Sequence, residues 1–519
     1  MEQPVLSPDG GDLDPLARRL AVALDPPSLQ DTASDQERLT RSLTPWLGGQ
    51  TPRYALPALR SLGRAVRADA WQAVVTVADL DGTPWVMAVQ PGQSAGRCLG
   101  LAVDVGTTTV AAELVDLASG ATLAAEQAYN GQRAYGADIT SRLMQAEKPG
   151  GVLALHDALL ATLDGLTTAL ATAAGVERSD IHAVVCAGNT AMTHTLLGLD
   201  PSAIRREPYV PVTTVFPTVL ARDAGLVLAD DAVLACLPAI SGYLGGDITA
   251  GLLATGIADG EALSLLIDIG TNGETVLGSC DWLMGCSGSA GSAFEGCGLE
   301  WGMNASPGAI ERVWVEDGRI RYRTVADEPP RGICGSGLIE GLGNFVRAGI
   351  IDRAGKPNQQ APGVRRGDYH LEVVLAEAGE TASSRAIALR QPDIENLIRD
   401  KAALYAGSHI LLSNVGLGFD DVEQVLIAGN FGHSLDIEQA VSIGLLPDIP
   451  RERIRFIGNS SLAGARLALL SGRARRRTQE IAASVTALEL TVEPEYFDEY
   501  TAALFLPHTD LSLFPSLNA

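Results

Sequence analysis

The chain has 519 residues, and 46% of them are hydrophobic, so several domains with sizeable cores are expected. Its 62 acidic and 38 basic residues give a net charge of −24, which argues against nucleic acid or an anionic membrane as a partner. No apolar stretch approaches the roughly 18 residues of a membrane-spanning helix, and the polar, acidic start does not resemble a signal peptide. Seven scattered cysteines fit a reducing compartment, so we expect a cytoplasmic protein.

The first 96 residues are predicted to form an arm and a small domain. Residues 1–34 contain Pro, Asp and Gly with little periodicity, and we expect an extended or partly ordered arm there. Residues 35–96 have the pattern of a small α+β domain. Helices are predicted over 35–43 and 59–68, strands over 72–77 and 85–89, and an exit linker over 91–96.

A buried strand that ends in an Asp/Gly/Thr turn follows the linker. The apolar run 99–103 predicts this strand, and two more strand-like runs cover 110–117 and 121–128. The turn between the first two runs is Asp104-Val105-Gly106-Thr107-Thr108-Thr109. A helix is then predicted over 152–174, with Gly175 as its stop, followed by a strand over 181–186 and a helix over 189–197.

The same β-hairpin unit occurs a second time. The apolar run 263–267 leads into Asp268-Ile269-Gly270-Thr271-Asn272-Gly273-Glu274, and strand-like runs cover 275–277 and 282–286. A second long helix is predicted over 393–414. The repeat indicates two related domains that flank a cleft.

The residue types in both turns suit a polyphosphate. Gly106 and Gly270 permit positive φ and a close approach of backbone N–H groups to phosphate oxygens. Threonine hydroxyls add hydrogen-bond donors. Asp104 and Asp268 supply carboxylates that could hold Mg²⁺ or its waters. Two such turns facing each other could clamp a polyphosphate from both sides.

A third Gly-rich element lies near the C-terminus. The run 425–428 predicts a strand, Gly429-Asn430-Phe431-Gly432 forms a turn, and a helix is predicted over 437–445. The turn is not a Walker loop, because no Gly-Lys-Ser/Thr follows. A glycine pair here would let a flat base lie against the backbone.

In this order, the three elements resemble the phosphate-1, phosphate-2 and adenosine motifs of the acetate kinase, sugar kinase, heat-shock chaperone and actin superfamily. Segments 184–190 (VVCAGNT) and 332–338 (GICGSGL) resemble its connecting motifs. The resemblance implies an α/β fold with a two-lobed, ribonuclease-H-like ATPase core after the small domain. We expect core subdomains over 97–245 and 246–519, with ATP and Mg²⁺ bound between them.

Further segments resemble one family within the superfamily, the ATP-dependent reductive activators of corrinoid proteins. These segments are 133–142 (RAYGADITSR), 297–310 (CGLEWGMNASPGAI), 333–341 (ICGSGLIEG), 443–446 (IGLL), 457–464 (IGNSSLAG) and 504–508 (LFLPH), and 29–39 (LQDTASDQERL) resembles the family's linker. The resemblance implies coupling of ATP hydrolysis to reduction of cob(II)alamin to cob(I)alamin in the corrinoid protein of a methyltransferase system. It also implies a corrinoid protein as partner, and a homodimer.

The resemblance assigns roles to the motif residues. Asp104, Asp268 and Glu274 are expected to be catalytic, and the two aspartates to hold the metal. Glu274 lies inside the second turn, where we expect it to position water or bind a metal-bound water. The expected nucleotide-binding residues are Gly106, Thr107, Thr108, Thr109, Gly270, Thr271, Asn272, Gly273, Gly429, Asn430, Phe431 and Gly432.

One feature departs from many such activators, which begin with a [2Fe–2S] ferredoxin domain. That domain needs a Cys-x₄-Cys-x₂-Cys run and a distant fourth cysteine. The cysteines here are Cys98, Cys186, Cys236, Cys280, Cys286, Cys297 and Cys334, and no two have that spacing. We therefore expect no iron–sulfur cluster in this chain, and electrons from a separate ferredoxin or reductase.

Several alternatives remain at this level. A small-molecule kinase for a sugar or carboxylate could share the fold, although no sugar-kinase base motif is evident. A nucleotide-gated binding protein is a further option, and activators of 2-hydroxyacyl-CoA dehydratases are relatives that need cluster-bridging cysteines. Among single residues, Cys334 and His194 are expected to pack, and the run 473–477 (RARRR) to be a solvated helix end or loop.

Overall fold

The computed structural model describes residues 13–94, 96–288, 292–296, 298–429 and 436–518. The chain forms two compact units. Among the described residues, the N-unit comprises 13–255 and 461–483, and the C-unit comprises 256–460 and 484–518. Across the described ranges, no helix combines the length and the apolar character needed to cross a bilayer.

The N-unit begins with a small α+β domain. Its strands are β1 (Ala17–Ala23), β2 (Arg53–Tyr54), β3 (Gln72–Leu80) and β4 (Thr83–Pro91), and its helices are α1 (Asp35–Leu43) and α2 (Leu56–Ala68). The sheet has the order β1-β3-β4-β2. Helix α1 has the predicted bounds, because Ser34 and Glu37 form a capping box at its start.

The prediction of an extended or partly ordered arm over residues 1–34 does not include the strand that Ala17–Ala23 add to the small domain. Strand β1 pairs antiparallel with β3, with Leu20 opposite Val75. Its burial does not alternate, since Arg18, Arg19 and Leu20 are all half-buried. A pattern search based on period-2 alternation therefore misses this strand.

The core of the N-unit is one six-stranded sheet with helices. Its order is β7-β6-β5-β8-β10-β9, and β5 is antiparallel to β6 and parallel to β8. The strands are β5 (Leu99–Val105), β6 (Thr109–Asp116), β7 (Thr122–Tyr129), β8 (Ile181–Gly188), β9 (Val219–Leu220) and β10 (Val233–Cys236). The helices are α3 (Ile139–Ala146), α4 (Gly151–Ala174), α5 (Thr190–Leu196) and α6 (Gly246–Thr255).

The C-unit contains a second six-stranded sheet, in the order β21-β20-β11-β12-β13-β22. The strands are β11 (Ser264–Ile269), β12 (Gly273–Gly278), β13 (Leu283–Gly288), β14 (Ala309–Glu316), β15 (Arg319–Thr324), β16 (Gly332–Ile333), β17 (Val364–Arg366), β18 (Leu371–Ala376), β19 (Ile387–Arg390), β20 (Gln424–Ala428), β21 (Ile454–Gly458) and β22 (Val485–Ala487). The α-helices that the described residues form after residue 330 are α7 (Gly335–Arg347), α8 (Gln391–Asn414), α9 (Ile437–Ser442), α10 (Ser460–Leu470), α11 (Gly472–Ser484) and α12 (Tyr496–Ala503).

The two sheets repeat one topology, as the sequence predicts. In each, an antiparallel three-stranded meander is followed by a parallel strand beside its first strand, β8 next to β5 and β20 next to β11. A further parallel strand, β10 or β21, lies beyond it. The carboxyl ends of β5 and β11 therefore occupy equivalent positions in their sheets.

The compact units divide the chain differently from the predicted subdomains. The expected boundary at 245/246 lies before α6, but α6 belongs to the N-unit. Its first residues pack closely there: a Cβ added to Gly246 would lie 2.6 Å from Leu237 O. Helices α10 and α11 also return to the N-unit, where Leu469 and Leu470 join the core cluster that contains Leu16.

Candidate functional site

The first Asp/Gly/Thr turn joins β5 to β6 in the N-unit. Asp104 and Val105 end β5, opposite Ala187 and Gly188 at the end of parallel β8. Two loops that follow parallel strands thus meet at one edge of the sheet. This edge is where open α/β sheets usually carry their ligand sites.

Two asparagines fix the turn from its flanks. The Asn130 Nδ2 donates to Gly106 O at 3.0 Å, and the Asn189 Nδ2 donates to Thr107 Oγ1 at 2.8 Å. Thr107 and both asparagines are buried. Buried amide side chains that are hydrogen-bonded in this way hold a loop in one conformation.

Gly106 and Gly270 permit a positive φ, but neither adopts one in the structure. Gly106 is instead required by lack of space. A Cβ at this position would lie 2.4 Å from Thr109 O, well inside van der Waals contact. At Gly270 the nearest atom to an added Cβ would be Asn272 O at 3.7 Å, which is an ordinary contact.

Asp104 has a hydroxyl and a second carboxyl group near it. Ser461, at the start of α10, donates from Oγ to Asp104 Oδ1 at 2.8 Å. Asp247 in the first turn of α6 is close enough for the charge of Asp104 to act on it. Burial raises the pKa of Asp247 to about 7, and the negative charge of Asp104 adds to this shift.

Sequence reasoning missed both Asp247 and Ser461 as members of this site. The available signal for Asp247 was the run Gly245-Gly246-Asp247 before an apolar stretch. Gly245 allows α6 to start against the end of β8, because a Cβ there would lie 2.4 Å from Asn189 Cα. Asp247 is thereby brought to the edge of the sheet that carries the first turn.

The second turn joins β11 to β12 in the C-unit. Gly270 N donates to Asn272 O at 3.1 Å, and Thr271 Oγ1 donates to Glu295 Oε2 at 2.6 Å. Glu295 lies two residues before the family-like segment 297–310 and is not among the predicted site residues. It is a third acidic side chain at this turn.

Asp268 and Glu274 are cross-strand partners in the β11–β12 ladder. Directly opposed residues of an antiparallel pair project from the same face, so the two carboxyl groups share one side of the hairpin. Glu274 is buried and Asp268 is partly buried. In the first hairpin the position opposite Asp104 is Ala111, so the two turns are not chemically equivalent.

The third element is described only up to its first glycine. Strand β20 lies parallel to β11, with Ala428 beside Asp268, and Gly429 follows with φ of 137°. Asn430, Phe431 and Gly432, together with His433, lie outside the described residues. Helix α9 ends at Ser442, short of the predicted residue 445, because Gly444 turns the chain with φ of 72°.

The oxygen-rich donor sets of both turns fit the chemistry of Mg²⁺. Asp104 and Asp247 supply carboxylates at the first turn, and Asp268, Glu274 and Glu295 at the second. Over the described ranges, no three such side chains form a metal-binding group by themselves. An ion bound at either turn would therefore take several of its ligands from phosphate and water, as Mg²⁺ commonly does.

Two further residues singled out in the sequence, His194 and Cys334, are buried. His194 is fully buried, with Nδ1 2.6 Å from Thr190 O and its ring edge-on to Phe216, and burial lowers its pKa. Cys334 is buried at the start of α7, and burial raises the pKa of its thiol. These two packing predictions are confirmed.

The basic run lies in α11 and is only partly solvated. Arg473 and Arg476 are exposed, but Arg475 is mostly buried and pairs with Asp79 at 2.8 Å. The expectation of a solvated helix end is wrong for Arg475, because α11 packs against the small domain.

Comparisons with known proteins agree with this architecture. Three family models match along the chain: "RACo linker region" over residues 8–96, "RACo middle region" over 99–260, and "C-terminal domain of RACo the ASKHA domain" over 262–518. The solved structure of a "Reductive activator for corrinoid,iron-sulfur protein" superposes with a TM-score of 0.94. It is 43% identical, and the match covers 99% of this chain and 83% of that one.

Two curated proteins are also similar in sequence. The "Corrinoid activation enzyme RamQ" of Eubacterium limosum is 33% identical over 412 residues, 77% of this chain and 69% of that protein. The "[Co(II) methylated amine-specific corrinoid protein] reductase" of Methanosarcina barkeri is 28% identical over 273 residues, 48% of this chain and 47% of that protein. The predicted fold class, an ATPase core of this superfamily after a small domain, is confirmed.

Proposed function

Since the chain belongs to the RACo family of reductive activators of corrinoid proteins, we propose that it hydrolyses ATP to drive reduction of cob(II)alamin to cob(I)alamin in a corrinoid protein. The observation that carries the proposal is the match to the solved reductive activator over 99% of this chain at 43% identity. The Asp/Gly/Thr turns at the equivalent ends of β5 and β11 support the ATP part of the activity.

We assign the phosphate and metal chemistry to the two turns. Asp104 and Asp268 are proposed to bind Mg²⁺ or its waters, and Thr107 to donate to a phosphate oxygen. Thr271 would donate to phosphate only after exchanging its hydrogen bond to Glu295, because its hydroxyl has a single hydrogen. Mg²⁺, when bound, neutralises phosphate charge and stabilises the leaving oxygen. Glu274, which shares one hairpin face with Asp268, is proposed to orient the attacking water.

ATP hydrolysis can be coupled to cobalt reduction if the activator binds two states of its partner with different affinities. Reduction of cob(II)alamin is unfavourable for ordinary cellular donors, so the activator must bind the partner in a state whose cobalt is easier to reduce. A ligand can shift such an equilibrium only by as much as its affinities for the two states differ. ATP turnover is proposed to reset the complex. The electron is proposed to come from a separate ferredoxin or reductase.

The test follows ATP loss and cob(I)alamin absorbance in parallel, with corrinoid proteins of the same organism and a chemical reductant or ferredoxin. We expect slow hydrolysis by the chain alone and faster hydrolysis when a cob(II)alamin-loaded partner is added. Formation of cob(I)alamin should require both ATP and the reductant. A phosphorylated sugar or carboxylate formed without any response to corrinoid proteins would favour a kinase instead.

Two matched pairs of variants assign the activity to the turns. Asp104→Asn and Asp268→Asn should lower turnover by more than about a hundredfold while the protein stays folded, because each removes a charge proposed to act on the metal. Asp157→Asn and Asp498→Asn change exposed aspartates in the same two units and should leave turnover unchanged. Wild-type rates in either turn variant would contradict the assignment.

A further inference from the structure

We propose that Asn189 is a positioning residue that fixes the direction of the Thr107 hydroxyl, so that this hydroxyl donates its hydrogen to a phosphate oxygen and does not ligate the metal. The inference rests on the proposed ATP-binding function and deepens it. It specifies which group donates and which accepts in the hydrogen bond between Asn189 and Thr107.

The orientation of the Asn189 amide follows from its cap on α5. Asn189 is the residue before the helix, and its Oδ1 accepts from Met192 N at 2.9 Å. A backbone N–H can only donate, so the side-chain atom that faces it must be the oxygen. The other side-chain atom is then the NH₂ group, which the hydrogen-bond network settles without ambiguity.

The orientation of the Asn189 amide decides which group donates in the hydrogen bond to Thr107. Asn189 Nδ2 lies 2.8 Å from Thr107 Oγ1, and an amide NH₂ group can only donate. Thr107 is therefore the acceptor in this bond. Its own hydrogen must point away from Asn189, and one of its two lone pairs is already used.

Close packing prevents Asn189 from adopting another arrangement. It is 9% exposed, and Thr107 is 3% exposed. The backbone of Gly245 lies against Asn189, since a Cβ at Gly245 would come within 2.4 Å of Asn189 Cα. On the other flank, Asn130 holds the carbonyl of Gly106. The peptide that carries Thr107 is thus held from two sides.

The Thr107 hydroxyl is consequently preset as a donor. In the described part of the chain, Asn189 is the one hydrogen-bond partner that the structure gives it. A buried donor without an acceptor is costly, and a phosphate oxygen accepts but cannot donate. A cation would take the remaining lone pair of Thr107 and would leave the buried hydroxyl hydrogen without an acceptor. The geometry therefore favours a phosphate oxygen over Mg²⁺ as the ligand of this hydroxyl.

A double-mutant cycle on ATP binding tests the inference, with affinity measured by calorimetric titration of a non-hydrolysable ATP analogue and Mg²⁺. Thr107→Val removes the hydroxyl but keeps the shape, and Asn189→Ser keeps a capping residue for α5 but loses the contact with Thr107. Each single variant should weaken binding by about tenfold, as expected for a hydrogen bond to a charged group. Thr107→Ser, which retains the hydroxyl, should bind within about threefold of wild type.

The decisive measurement is the double variant. If Asn189 acts through Thr107, Asn189→Ser should cause no further loss when combined with Thr107→Val. Independent, additive losses, or wild-type affinity in Asn189→Ser, would overturn the inference.

If Asn189→Ser fails to fold, Asn189→Asp replaces it, because aspartate keeps the cap on α5 but accepts a hydrogen bond from Thr107 where asparagine donates one. Its loss of affinity should then be larger with Thr107 present than in the Thr107→Val background, and an equal loss in both would overturn the inference. A wild-type chain that binds no ATP would defeat the proposed function as well, so the two failures are distinguishable.

Discussion

Arg475 and Asp79 form an ion pair at 2.8 Å that joins helix α11 to strand β3 of the small domain. The two residues lie 396 positions apart in the chain. The same guanidinium group donates from Nη1 to Ala468 O at 2.9 Å. The side chains are 12% and 25% exposed, so the pair is shielded from most of the solvent.

Arg475→Ala should lower the free energy of unfolding by about 1–3 kcal/mol, because Asp79 and the carbonyl of Ala468 would lose their donor. Denaturant titration measures this. Arg473→Ala, on an exposed position of the same helix, is the matched control and should stay within about 0.5 kcal/mol of wild type. Equal effects of the two variants would mean that the pair contributes nothing specific.

The two turn glycines should respond differently to alanine. Gly106→Ala should destabilise the fold by about 1–3 kcal/mol, because the new Cβ would lie 2.4 Å from Thr109 O. Gly270→Ala meets only ordinary contacts and should fold normally. Loss of ATP affinity in a fully folded Gly270→Ala variant would then report the close approach of a phosphate. Equal melting temperatures for both variants would show that the first turn has room to adjust.

Asp247 makes a pH-dependent contribution to stability. Its pKa is raised to about 7 by burial, with the charge of Asp104 adding to the shift. Between about pH 4 and pH 7 the folded chain binds the proton that the unfolded chain has lost, so stability falls as the pH rises through this range. Asp247→Asn removes the unfavourable free energy of holding a buried, ionised carboxylate in the folded protein at high pH.

We therefore expect Asp247→Asn to raise the melting temperature more at pH 8 than at pH 5. Asp223→Asn, at an exposed position, is the control and should have the same small effect at both values. A shift for Asp247→Asn that does not change with pH would contradict the raised pKa.

The cysteine thiols should differ in reactivity. Burial raises the pKa of Cys236 to about 12 and also raises the pKa of Cys186, Cys286 and Cys334. Cys280 is exposed. Because the thiolate is the reactive form, brief alkylation at pH 8 followed by mass spectrometry should label Cys280 and leave those four unlabelled until the protein is denatured. Rapid native labelling of Cys334 would reopen a redox role for it.

The strands and turns of the two hairpin units were predictable because they consist of buried apolar runs with strong local patterns. The meander, the parallel strand beside it and the long helices all have local signals of this kind. The topological repeat was also predictable, since the two Asp/Gly/Thr turns lie in matching local contexts. The tertiary neighbours of the turns were not. Ser461 reaches Asp104 across 357 positions, and no spacing rule marks such a contact.

Two further differences have local physical causes. Strand β1 lacks alternating burial and is held by its pairing with β3, which only the fold reveals. The requirement for glycine at Gly106 comes from the backbone of Thr109, and not from the φ angle that turn chemistry suggests. The sequence identifies Gly106 as a turn residue, but it does not identify β1 as a strand. In both cases the physical reason lies in residues that are neighbours in the folded structure.

The return of α10 to the N-unit has a consequence for synthesis. A ribosome releases the sheet of the first turn, with Asn130 and Asn189, long before it translates Ser461. Domains generally fold as units during translation, but this unit is interrupted by most of the C-unit. A nascent chain that ends before residue 461 would therefore carry the first turn without the hydroxyl that binds Asp104. Its sheet would also lack Ala465 and Leu469 from the core cluster. The first turn is complete only after residue 461 has been made and α10 has packed onto the sheet.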